Sequence, residues 1–126
     1  MTQYLLSTYL VEGEVPGAPG GPEEIQGFLE RVMAVEESMV SEGVFLFGGG
    51  LSSPATAAVI DAGSLMVTDG PFPEAKEQIA GFYIIEAGDE DTAQKWATRV
   101  AVATGHPIEV RSFAATGLLK DNLPGG

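Results

Sequence analysis

Asp69-Gly70-Pro71-Phe72-Pro73-Glu74-Ala75-Lys76-Glu77-Gln78 runs directly into Ile79-Ala80-Gly81-Phe82-Tyr83-Ile84-Ile85-Glu86, and this stretch divides the chain into two halves of similar plan. Asp-Gly-Pro is a turn sequence: the Asp side chain can accept from the backbone two residues on, and Gly supplies a positive φ. Pro71 and Pro73 stiffen the loop. The run after it, rich in Ile, Phe and Tyr, reads as a strand over 79–86.

Upstream, residues 3–11 read as a first strand. Its alternating faces are both apolar, with Tyr4, Leu6 and Leu10 on one and Leu5, Tyr9 and Val11 on the other. That is the pattern of a central strand. Residues 12–21 hold four glycines and two prolines and read as a loop. A helix is predicted from Pro22, with Gly21 as N-cap and Glu23 and Glu24 complementing the helix dipole. Ile25, Phe28, Leu29, Val32, Val35, Met39 and Val40 recur at helical spacing and predict one buried face. Gly43 closes the helix as its C′ residue. Residues 44–50 form a second strand ending in Gly48-Gly49-Gly50. After a break at Ser52-Ser53-Pro54, residues 56–60 and 64–68 read as a hairpin around Asp61-Ala62-Gly63.

Downstream of the 79–86 strand, Asp89 is a good N-cap, with Glu90 and Asp91 in the first turn. Ala93, Trp96, Ala97 and Val100 make the buried stripe of this second helix, and Thr104-Gly105 ends it. Residues 108–113 are the last strand, and 117–126 read as a frayed tail. The order β-α-β, hairpin, β-α-β predicts an α+β, ferredoxin-like fold: an antiparallel sheet, two helices on one face and an inserted hairpin. Tyr9, one of Phe45 and Phe47, and one of Phe82 and Tyr83 should point to the opposite face. Either the hairpin or a second subunit must cover them, and a homodimer is the expectation.

With 126 residues the chain fits one domain, placed at 1–116 with a flexible tail over 117–126. There is no cysteine, which excludes thiol nucleophiles, zinc-thiolate sites and iron–sulfur clusters. Net charge is −12, and the six basic residues, Arg31, Lys76, Lys95, Arg99, Arg111 and Lys120, are scattered. No basic stripe exists to neutralise phosphates, so direct nucleic-acid binding is not expected. No signal peptide and no membrane-length apolar run is read, and a cytoplasmic location is the expectation.

The densest polar stretch is also the candidate site. The two prolines would hold Asp69 and Glu74 in fixed positions at the end of a strand, where two carboxylates near a cleft could divide acid and base roles, with Lys76 holding one of them ionised or receiving an anionic ligand. Asp69 is the acid–base candidate. Gly70, Pro71, Phe72, Glu74, Lys76, Phe82 and Tyr83 are candidate ligand-binding residues, with Phe72, Phe82 and Tyr83 as apolar walls. The bland reading is a stiff loop capped by Asp69. His106 is read as an exposed turn residue rather than a proton shuttle. Gly48-Gly49-Gly50 lacks the Lys-Ser/Thr of a phosphate loop and reads as close packing at a strand end, ahead of room for a ligand. Ser7, Ser52 and Ser53 have no sequence-visible base. No metal or cofactor is expected.

Asp69-Gly70-Pro71-Phe72, with Glu74, Lys76-Glu77-Gln78, Gly81 and Phe82-Tyr83 behind it, resembles the signature of the YCII-related family, in its DGPF subgroup. Phe47-Gly48-Gly49-Gly50-Leu51 with Pro54-Ala55-Thr56-Ala57, and Ile108-Glu109-Val110-Arg111, are similar to that family's glycine strand end and closing strand. The resemblance covers residues 3 to 113. It implies a homodimeric α+β barrel-like fold of ferredoxin-like type. Relatives have been proposed as enzymes because a His and an Asp face a cleft, but the single histidine here, His106, stands just before the last strand. Some relatives neighbour sigma factors, which implies a link to transcription regulation. The residues thus support three readings. One is a homodimeric small-molecule-binding or regulatory module with a cleft beside the 69–72 loop. The second is a cofactor-independent enzyme using Asp69. In the third, the loop is purely architectural.

Overall fold

The computed structural model describes residues 1–10, 22–71 and 77–122. Its elements are β1 (Thr2–Tyr9), α1 (Pro22–Ser41), β2 (Phe45–Gly50), β3 (Ala58–Ile60), β4 (Val67–Asp69), β5 (Ile79–Ala87), α2 (Glu90–Thr104) and β6 (Ile108–Ser112). Four strands form one antiparallel sheet in the order β2-β5-β1-β6, while β3 and β4 pair with each other in a separate ribbon. This is the expected α+β, ferredoxin-like fold with its inserted hairpin, and β1 is central as its two apolar faces required.

Local chemistry sets the helix ends. Gly43 takes the left-handed conformation after α1, at φ 74°. The Asp89 carboxylate accepts from Thr92 N at 2.7 Å and caps α2, and Gly105 terminates it with its N–H on Ala101 O at 2.8 Å. The expected N-cap Gly21 and the end of the first strand at Val11 lie outside the described residues.

The core fills the space between sheet and helices. Tyr4 and Leu6 of β1 and Ile85 and Ala87 of β5 pack with Val35 and Met39 of α1 and Ala93, Trp96, Ala97 and Val100 of α2. Side chains of α1 and α2 also tie the helices together. The Arg31 guanidinium donates to Ala103 O at 3.1 Å, near the negative end of the α2 dipole. Arg99 donates to Ser38 Oγ at 3.0 Å and lies 4.6 Å over the Trp96 ring.

Three expectations are corrected. The apolar stripe of α1 is wider than the surface it meets: Phe28 and Val32 are half-buried, while Ile25, Leu29 and Val40 are exposed. The hairpin strands are shorter and later than 56–60 and 64–68. Pro54–Thr56 coils into a 3-10 turn capped by Ser53 Oγ, and Asp61 Oδ1 accepts from Gly63 N and Ser64 N, so 61–66 becomes a long connection. Gly70 has no positive φ. Glycine stands there for space, since a Cβ would lie 3.0 Å from Val59 Cγ2 and 3.1 Å from Ala57 Cβ. At the C-terminal end, Leu119–Asn122 forms a 3-10 turn in which Asn122 Nδ2 donates to Thr116 O and Leu118 O. Residues 123–126 of the expected tail lie outside the described residues.

The two-sided question is settled by register. Phe45 and Phe47 would share a face in a regular strand, but a bulge between them sets Phe45 opposite Ile85 and Phe47 opposite Ile84. Phe45 and Tyr83 therefore face the helices. Phe47, Phe82, Ile84, Leu5 and Tyr9 line the other face, where the Phe47 and Phe82 rings meet at 5.8 Å. The hairpin does not pack substantially against the main sheet, and its Ile60, Leu65, Met66 and Val67 are exposed.

Candidate functional site

A cleft of about 390 Å³ opens where β2 runs out in glycine, between the middle of α1 and the sheet. Phe28, Val32 and Glu36 line it from one side. They are spaced four apart, so a single helical face carries all three. Thr8 of β1, Phe45 and Gly48-Gly49-Gly50 of β2, and Ala80 to Tyr83 of β5 form the floor. Thr104 and His106, at the end of α2, close one rim.

Glycine creates this space in two ways. A Cβ on Gly48 would lie 2.7 Å from Tyr83 Cδ1, so the Tyr83 ring lies across the bare backbone of β2. A Cβ on Gly81 would lie 2.8 Å from Gly49 O, so β5 and β2 approach closely only without a side chain there. Gly50 differs, since a Cβ on it meets nothing within 4 Å. Both readings of the glycine run, close packing and room, thus apply to neighbouring residues.

The polar centre of the cleft is the pair Tyr83–Glu36. The phenol donates to Glu36 Oε2, and Phe45 packs edge-on against the Tyr83 ring at 6.4 Å and 66°. Burial pushes the Tyr83 hydroxyl well above its usual range, and the hydrogen bond and negative charge of Glu36 push it further. The folded chain therefore holds this proton more tightly than the unfolded chain, whose phenol titrates near 10.0. The stabilisation is complete below that pH and is lost as pH rises toward the folded-state value. The difference in urea midpoint between wild type and Tyr83→Phe should shrink above pH 10.0 and be constant between roughly pH 7 and 9.

The two threonine hydroxyls of the cleft are engaged as donors. Thr8 Oγ1 donates to Gly81 O at 3.2 Å, and Thr104 Oγ1 donates to Val100 O at 2.8 Å while accepting from His106 N at 3.1 Å. His106 is half-buried on the cleft wall. That corrects the expectation of an exposed turn residue: the short Thr104-to-Pro107 connection folds back onto the β1 end, where Tyr9 N donates to Pro107 O at 3.1 Å.

Of the loop singled out by sequence, Asp69, Gly70 and Pro71 are described, and none of the three lines this cleft. Asp69 ends β4 opposite Ala58 and is exposed. Gly70 N donates to Ala57 O at 2.7 Å, and the Gly70–Pro71 peptide is cis. Phe72, Glu74 and Lys76 lie outside the described residues. A second depression of about 500 Å³ lies at the foot of the hairpin, between Leu51, Ser52 and Ser53 on one side and Tyr9, Gln78 and Ile79 on the other. The Tyr9 phenol beside it is raised, first by burial and then by the charges of Glu109 and Glu77. Neither depression is lined by Asp69, Gly70 or Pro71. Of the sequence candidates, Phe82 and Tyr83 border the first cleft, but only Tyr83 faces the helices.

Glu36 and Thr8 were not legible as site residues. Glu36 sits in Val35-Glu36-Glu37, which reads as a solvated acidic edge. Its one signal is its position four residues beyond Val32 and eight beyond Phe28, which puts it on the apolar stripe. Among the described residues, no group of His, Asp and Glu is placed to hold a metal ion, and no helix is long and apolar enough to cross a membrane.

A family model described as the YCII-related domain matches residues 2–113. The chain is also similar to an uncharacterized protein of Rhizobium meliloti, with 35% identity over 97 residues, 73% of this chain and 77% of that one.

Proposed function

The chain belongs to the YCII-related domain family, and on that footing we propose that it is a homodimeric small-molecule-binding module whose ligand enters the cleft between α1 and the sheet. The carrying observation is the cleft itself: about 390 Å³, walled by Phe28, Val32 and Phe45, with a hydrogen-bonded polar pair at its centre. That combination of apolar walls and few convergent polar groups suits a small ligand. Binding is placed ahead of turnover in this reading, with the Tyr83 phenol serving as a hydrogen-bond donor that orders the Glu36 carboxylate. The loop beginning at Asp69, which resembles the DGPF signature, serves the hairpin in this reading. The apolar sheet face opposite the helices supports the homodimer.

Gly50→Leu tests the cleft. A side chain there meets open space and projects into the cleft, so the variant should fold at least as well as wild type. A thermal-shift screen of small metabolites should find compounds that raise the wild-type melting temperature. Those compounds should lose their effect on Gly50→Leu. Ligands that stabilise both proteins equally would place binding elsewhere and overturn the assignment.

A further inference from the structure

We propose that the cleft selects small organic cations: a protonated amine set against the Glu36 carboxylate, carried on a compact apolar body that lies between Phe28, Val32 and Phe45. This deepens the small-molecule-binding reading and rests on it. The ground is an inventory of hydrogen-bonding capacity. The Tyr83 hydroxyl gives its only proton to Glu36, the Thr8 hydroxyl gives its proton to Gly81 O, and the Thr104 hydroxyl gives its proton to Val100 O. A hydroxyl carries one donor and two acceptor sites, and a carboxylate only acceptor sites. These four side chains therefore present lone pairs and no donor to whatever enters.

A ligand head that is itself an acceptor finds no donor among them and meets like charge if it is anionic. A hydroxyl supplies one donor. An ammonium supplies three donors and no acceptor, and its charge opposes that of Glu36. Among the described residues, no cation pairs with Glu36. Arg31 is held on Ala103 O, Lys95 on Asp91 at 3.3 Å, and Arg99 between Ser38, Glu42 and Trp96. The ring of Phe45 adds a face that attracts cations. His106 is the further titratable group on the wall, so all probes are compared at one fixed pH. The net charge of −12 draws cations toward the whole surface, which makes a variant control necessary.

The test is calorimetric titration of the full chain with three probes of one shape: 2-phenylethylamine, 2-phenylethanol and 3-phenylpropionate. Wild type should bind the amine roughly tenfold or more tightly than the alcohol, and the carboxylate least of all. Glu36→Gln keeps the hydrogen bond to Tyr83 and removes the charge. It should lose the amine preference while retaining the alcohol affinity. Gly50→Leu should bind none of the three. Equal affinity for amine and alcohol, abolished by Gly50→Leu, would sink the cation assignment and leave the cleft standing. An amine preference that survives Glu36→Gln would mark surface attraction and also sink it. If Gly50→Leu binds all three as wild type does, the cleft reading fails as well.

Discussion

Gly81→Val should unfold the protein or cost it at least about 3 kcal/mol, whereas Gly50→Val should leave it as stable as wild type or slightly more so. The two residues are direct cross-strand partners in the β2–β5 ladder, Gly81 buried in an interior strand and Gly50 exposed on the edge strand. Valine is the better strand former at both. The difference is what a Cβ meets. At Gly81 it would meet backbone, Gly49 O at 2.8 Å and Gly50 Cα at 3.3 Å, and backbone cannot rotate away. Relief requires β2 and β5 to separate, which breaks the edge of the sheet and removes the floor of the cleft. At Gly50 it would meet nothing within 4 Å. Urea denaturation followed by circular dichroism reads both. Similar midpoints for the two variants would show that the close approach of these strands does not constrain the fold.

Ile84→Asp should abolish self-association while leaving the monomer folded. Ile84 stands in β5, flanked by β1 and β2, on the face with no helix, near Leu5, Phe47 and Phe82. If a second copy covers this face, an aspartate there is buried without a partner, and the dimer dissociation constant should rise by roughly 100-fold or more. Val102→Asp is the control: it adds the same charge at a site that is 76% exposed on α2. Sedimentation equilibrium across a concentration series should show wild type and Val102→Asp as dimers and Ile84→Asp as a monomer. A wild type that sediments as a monomer throughout would overturn the homodimer proposal directly.

Elements with a local cause were legible from sequence. Pro22 with its glutamates, Asp89, Gly43 and Gly105 each act within a few residues, so the start or end they mark could be read from the chain alone. The sidedness of β2 could not. One of Phe45 and Phe47 was expected on the face without helices, but that it is Phe47 follows from a bulge set by how β2 pairs with β5. The site shows the same division. Tyr83 was marked by its aromatic strand context, but its partner Glu36 is 47 residues away and looks like a solvated charge. His106 was misjudged because its burial comes from Tyr9 N reaching Pro107 O, a tertiary contact with no local sign. Asp69 stood out for the opposite reason. Turn chemistry is loud in sequence, and Asp69 itself is exposed at the end of β4 and lines neither depression.

The central position of β1 carries a consequence for synthesis. Its partners are β5, from Ile79, and β6, which ends at Ser112. A nascent chain leaving the ribosome therefore holds this interior strand unpaired while α1, β2 and the hairpin emerge, and at about 5–20 residues per second that interval lasts several seconds. During it, two unsatisfied edges are open to pairing with another nascent copy. Chains on one polysome should be prone to exchange first strands unless a chaperone shields residues 2–9. Slowing translation ahead of β5 should worsen the yield of soluble protein, whereas slowing it after β6 should have no effect.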